Sequence, residues 1–368
     1  MNSNYTLTDT RPYPADPVKN DLLLYATQIA ASSSGAQRKL SEQSLHAAIY
    51  NMFEQNHYLG LSVAMSMAPD APSYQALLNG LDFVLQAKTE EECQWFALPV
   101  VIVAGCNQPT TLTSKAPIVE LTACLANYPH TRALTQATWL PNLVCAEDLA
   151  VIKVGEWFKA KQNAEAAAEF AANLPINALA LESGQSVHVL YAVGYGNKNL
   201  LETLGNNLQN AALPLMQVWQ EAMAKEGVTL FTNPLSANTP LIAIAEASHM
   251  RLRMALDAFA TNAIRAIRLQ SPRVGVVMAS QQGGNLMFGF NATDSVFELQ
   301  PQVFVWPLSP VEHIETVQHN FLDLLAECGV ENIRLLHNAI AEGAELPSYA
   351  QAKNIDGHNP LFAQPTNA

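Results

Sequence analysis

Charged side chains are scarce in this chain. Asp, Glu, Lys and Arg supply 14% of 368 residues, against 49% hydrophobic. So little charge excludes a solvated, extended chain, and implies a large buried interior with some surface covered by a second copy, hence a homo-oligomer. The charge that is present is mostly of one sign, a formal net of −13. Phosphate backbones and anionic lipid surfaces would repel it, which argues against nucleic-acid and membrane partners. No apolar run reaches the length of a membrane span. The cysteines, Cys93, Cys106, Cys124, Cys145 and Cys328, are odd in number and widely spaced, and no CxxC pair occurs. That argues against a disulfide framework and fits reduced thiols in the cytoplasm. Residues 1–12 lack the basic and apolar parts of a signal peptide.

Catalytic signatures are missing too. There is no P-loop, no GxSxG elbow and no HExxH. The nearest thing to a cofactor motif is Gly194-Tyr-Gly196-Asn-Lys-Asn199. A dinucleotide site needs a third glycine where Asn199 stands, and a ribose-binding carboxylate where the next strand ends in Thr232-Asn233. The motif therefore reads as a structural turn, with no cofactor. ExxH occurs twice, at Glu54–His57 and Glu246–His249, but strands between the two suit a di-iron bundle badly. Glu312, Glu315, His319 and Asp323 share one side of a helix opposite its apolar stripe, as a solvated face does. No metal site and no catalytic residue is expected.

What is there is clearest from Arg273 to Leu336. Val274–Ser280 and Leu286–Phe290 read as two strands joined at Gly283-Gly284, and Gln302–Trp306 as a third. Ser309, Pro310 and Glu312 form a capping box at the start of a helix. Ile314, Val317, Phe321, Leu324, Leu325 and Cys328 recur along it at helical spacing. Gly329 is placed to close it in a left-handed conformation, and Asn332–Leu336 returns to strand.

The remainder divides as follows: a disordered leader (1–19), a helical N-terminal part (20–95), a first α/β unit (96–245), a second (246–340) and a tail (341–368). The N-terminal part carries three amphipathic stripes, with Ser41 opening the second and Ser73 the third. In the first unit, Leu98–Ala104 reads as a buried strand and Pro117–Leu125 as a helix. Glu156–Asn173 reads as one helix, Ile176–Val193 as a hairpin, Leu200–Lys225 as a long helix and Val228–Phe231 as a strand. Leu241–Ala245 reads as a short strand, and His249–Leu269 as a helix.

Lys225-Glu-Gly-Val228 and Glu327-Cys-Gly-Val330 end comparable helices. The fold expected is α/β (α+β): a helical N-terminal part, then two related ferredoxin-like α/β sandwich units. An inter-unit groove would suit a small molecule, which favours a non-catalytic binding or regulatory protein. Arg251, Arg253, Arg265, Arg268 and Arg273 crowd one region. Guanidinium forks there could bind a carboxylate or phosphate, so a small anionic ligand at Arg251, Arg265, Arg268 and His188 is the candidate site. The competing function is an enzyme acting on an acidic small molecule, with His188 or His319 as base.

Overall fold

A computed structural model of the chain describes residues 17–340 except 113–114, 128–134, 175–177, 185, 198–220, 222–223, 225, 232–237, 282–284, 293–301, 309–311 and 313. It mixes helix with largely antiparallel sheet, and divides into two compact units, Met1–Ser248 and His249–Ala368. Among the described residues no helix is long and apolar enough to cross a membrane.

The first unit opens with α1 (Pro17–Ala31), α2 (Gly35–Glu54), α3 (Tyr58–Ser66) and α4 (Ala71–Leu85). Helix thus begins inside the expected leader, and three anticipated helices are four. Ser41 does not start a helix: it is buried within α2, its hydroxyl donating to Gln28 Oε1. Asp70 is a genuine N-cap, accepting from the Ser73 amide at 2.7 Å. Leu22, Leu45, Ile49, Leu77 and Leu81 fill the space between these helices. Gly80 permits it, since a Cβ there would lie 2.9 Å from Leu45 Cδ2.

A five-stranded sheet follows, built on β1 (Gln94–Cys106). After β2 (Thr110–Leu112) and α5 (Lys115–Asn127) come β3 (Thr138–Trp139), β4 (Val144–Cys145), α6 (Ala146–Ala150), α7 (Val154–Ala160) and α8 (Ala164–Asn173). Then β5 (Leu179–Leu181), β6 (His188–Gly196) and β7 (Val228–Phe231) complete it. The sheet runs β3-β6-β1-β7, with β4 also on β6, every pairing antiparallel. Pro99 lies inside β1 at a register shift, where a residue without an N–H is tolerated.

Three expectations fail here. Residues 156–173 are two helices, because Asn163 caps α8 by accepting from the Ala166 amide at 2.8 Å. Residues 176–193 are not a hairpin: β5 pairs with β2, while β6 pairs with β1. The turn between them is held elsewhere, Gly184 (φ 124°) exchanging backbone hydrogen bonds with Cys106. Gly194 and Gly196 lie in β6 rather than in a turn; a Cβ on Gly194 would approach Phe96 Cζ to 2.9 Å, so the glycine makes room for the Phe96–Trp139 ring pair. Leu200–Lys225 lies outside the described residues, apart from Glu221 and Ala224.

One sheet face carries Phe96, Leu98, Val103, Cys145, Leu190 and Ala192. Trp95 and Tyr195 stack on the other, against Trp157 of α7 and Phe170 of α8. Lys161, between those helices, is 1% exposed; its ammonium donates to Glu92 Oε1 (3.1 Å) and to the Gln86 carbonyl (3.2 Å).

Leu241–Ala245 is not a strand. It is the start of α9 (Pro240–Arg268), with proline at the first helical position and Ala243 and Ala247 buried at helical spacing. In the second unit β8 (Val274–Gln281), β9 (Asn285–Ala292) and β10 (Gln302–Pro307) form an antiparallel meander. After α10 (Ile314–Glu327), β11 (Asn332–Ile340) joins parallel to β8, giving the order β10-β9-β8-β11. The succession β-β-β-α-β departs from the β-α-β-β-α-β of a ferredoxin-like unit.

Phe288, Phe290 and Phe321 centre the core between this sheet and its helices. The capping box falls largely outside the described residues, Ser309 and Pro310 among them, and the described helix starts at Ile314. Glu312 accepts a hydrogen bond from Trp306 Nε1 and pairs with His249. The helix end is as expected: Gly329 has φ 64°, the Val330 amide bonds the Leu325 carbonyl and the Gly329 amide that of Ala326, a Schellman motif.

Candidate functional site

Strand pairing in the first unit brings three chemically different donors together. Cys145 ends β4 opposite Leu190, and His188 opens β6 two residues before it. Alternation along a strand therefore puts Cys145 and His188 on the same face. Glu147 lies in the first turn of α6, which Cys145 caps, and this returns its carboxylate to the same place. One ligand atom from each of Cys145, Glu147 and His188 lies within 4.8 Å of the others, and among the described residues no second such group of His, Cys, Asp and Glu occurs.

The Cys145 thiol donates to Glu147 Oε2 at 2.5 Å. His188 Nδ1 stands 3.3 Å from Glu147 Oε1 and 3.9 Å from Cys145 Sγ. Burial, and then the hydrogen bond to Glu147, push the thiol up to about 12. The neighbouring Asp148 carboxyl is raised as well, by burial and then by the charge of Glu147. Cys145 and the Glu147 Oε1 atom are buried, while the His188 and Glu147 side chains as wholes are 21% and 35% exposed.

This is a poor nucleophile. An activated thiol needs a depressed pKa and a base of its own. In a relay, the carboxylate orients the imidazole through the nitrogen that does not face the nucleophile. Here both contacts fall on Nδ1, and the thiol directs its hydrogen bond to the carboxylate rather than to the imidazole. The arrangement suits coordination instead: thiolate, carboxylate and imidazole are all cation ligands.

The arginine cluster looks different. Arg251 is half-buried, Arg265 and Arg268 are exposed, and all three lie on the α9 segment of the second unit, whereas His188 is in the first. At 1.5 Å per residue, Arg251 and Arg265 are about 21 Å apart along the helix axis, too far to share one small anion. Arg268 donates from Nη2 to the Cys328 and Gly329 carbonyls at 2.7 and 3.0 Å, closing the end of α10. In the second ExxH, Glu246 accepts from Asn238, and His249 pairs with Glu312 at 2.7 Å. His319 and Asp323 form an exposed pair at 3.7 Å.

Sequence reasoning reaches His188 but not its partners. Cys145 and Glu147 are readable only as a C-x-E between an ambiguous strand and a turn, and the β4–β6 pairing that gives them meaning is a long-range event.

No family model, curated protein or solved structure matches this chain.

Proposed function

We propose that the chain is a cytoplasmic, non-catalytic binding or regulatory protein whose ligand sits against Cys145, Glu147 and His188. The observation that carries this reading is the convergence of a thiol, a carboxylate and an imidazole within 4.8 Å, where β4 pairs with β6. A thiol kept protonated by burial, and then by its hydrogen bond to Glu147, speaks for binding rather than covalent chemistry. The five cysteines are free, as a reducing compartment keeps them.

The alternative is an enzyme holding an acidic substrate through Arg251, Arg265 and Arg268, with His188 or His319 as base. It has less behind it, because Arg268 already serves the end of α10. A thermal-shift panel of divalent cations, phosphates, carboxylates and nucleotides on wild type and His188→Ala tests the two. A ligand that binds only the folded state raises the melting temperature by mass action. The proposal requires at least one ligand whose shift disappears in His188→Ala. A panel in which every shift survives that substitution, or in which only anions act and Arg265→Ala abolishes them, removes it.

A further inference from the structure

The donor set at Cys145, Glu147 and His188 is more selective than a general cation site. We infer that it binds one borderline-soft divalent ion of the zinc class, held by Cys145 Sγ, His188 Nδ1 and a Glu147 carboxylate oxygen. This rests on the reading that the cluster is the protein's ligand site, and adds which chemistry occupies it.

Ligand type comes first. Magnesium and calcium take oxygen shells, so a thiolate and an imidazole are the wrong partners for them. Sulfur and nitrogen with one carboxylate are what zinc and its neighbours accept. Charge agrees: one thiolate and one carboxylate together neutralise a divalent ion.

Geometry comes second. Zinc bonds of about 2.3 Å to sulfur and about 2.0–2.1 Å to nitrogen and oxygen, in a tetrahedron, place neighbouring ligand atoms roughly 3.3–3.6 Å apart. His188 Nδ1 and Glu147 Oε1 are already 3.3 Å apart, and Cys145 Sγ to His188 Nδ1 is 3.9 Å. The Cys145–Glu147 contact of 2.5 Å holds a proton. When an ion replaces that proton, the contact must open by about 1 Å to the tetrahedral spacing. Rotation of the partly exposed Glu147 side chain suffices for this. The backbone need not move, because Cys145 and His188 are fixed across the β4–β6 pairing.

Rigidity comes third. Cys145 and His188 sit on paired strands, so two of the three donors are positioned before any ion arrives, as a site that is not assembled on loops should be. Closing the third donor would tie the short α6 to the start of β6.

Cobalt(II) titrated into the reduced, full-length protein is the test, since thiolate-bound cobalt absorbs in the near ultraviolet and zinc does not. One cobalt per chain with a thiolate charge-transfer band, displaced by one equivalent of zinc, is expected. Cys145→Ser should abolish the band. His188→Ala should weaken binding by at least the roughly 10–100-fold that loss of an outer-shell partner costs. Circular dichroism checks folding; if Cys145→Ser fails to fold, Glu147→Gln and His188→Ala at their partly exposed positions carry the test. Cobalt that binds without the band, or binds equally in all three variants, overturns the inference. If an organic ligand but no zinc-class ion shows a His188-dependent shift, the zinc inference falls while the binding reading stands. If nothing depends on the cluster, both fall.

Discussion

The first unit assembles its sheet from strands far apart in the chain, whereas three of the four strands of the second pair in succession and only β11 returns from further on. β1 ends at Cys106 and its partner β6 opens at His188, whereas β8, β9 and β10 pair in succession between Val274 and Pro307. The interiors differ in the same sense. Among the described residues, the buried polar side chains of the second unit are Ser271 and Ser280, while the first buries Ser41, Ser73, Gln94, Lys161 and Thr239. Its sheet also carries Cys145 and His188. The contrast separates a unit packed around Phe288, Phe290 and Phe321 from one that buries an ammonium and brings a thiol and an imidazole together on its sheet.

The sharpest way to break that contrast is to remove Lys161. With Lys161→Met, Glu92 keeps the amides of Lys88 and Thr89 but loses the Lys161 ammonium, at a side-chain exposure of 16%. Removing one member of a buried pair costs about 3–5 kcal/mol. Denaturant unfolding should show a loss near the low end of that range, most of it recovered by adding Glu92→Gln. Wild-type stability in the single variant would mean that the first unit bears no such burden.

A smaller effect is expected in the second unit from Arg268→Ala, which leaves the Cys328 and Gly329 carbonyls to water. About 1 kcal/mol should be lost, the usual net worth of such hydrogen bonds. An unchanged midpoint would show that the Schellman motif alone holds the end of α10.

The smallest effect sharpens the comparison through pH. Burial raises the Glu246 carboxyl above its ordinary 4.5, a shift only partly offset by the Asn238 hydrogen bond. A folded-state pKa above the unfolded value makes the contribution of this group present in acid and lost as pH rises through the folded pKa. Glu246→Gln should therefore match or slightly exceed wild-type stability at neutral pH, with the two converging in acid, below the ordinary carboxyl value of 4.5. A variant that is less stable at neutral pH would assign Glu246 a favourable partner.

The same division explains which elements are legible in the amino-acid sequence. β8, β9, β10 and β11 begin within a residue or so of where apolar runs and turn residues place them, because each pairs with a strand nearby or is fixed by a local signal such as Gly329. In the first unit β7 lies where it is read, at Val228–Phe231, but other local signals mislead. Val187–Val193 has the pattern of half a hairpin, but its apolar residues pack along β1, and β5 leaves for β2. Leu241–Ala245 has strand composition, yet Pro240 starts a helix that the following alanines continue. His188 stands out because a histidine in a strand is conspicuous. Cys145 and Glu147 do not, since their significance lies in which strand β4 meets.

The position of β1 also governs how the protein is made. It is central, with β6 on one side and β7 on the other, and both are encoded after it. On the ribosome, Trp95–Val103 emerges as a long apolar segment with two unpaired edges. It must wait while Asn107 to Val187 is added, roughly 4–16 s at about 5–20 residues per second. During that interval the nascent chain offers a surface that other copies or a chaperone can occupy. In the second unit β9 and β10 follow β8 directly, so one edge of β8 is covered at once and only the other waits for β11.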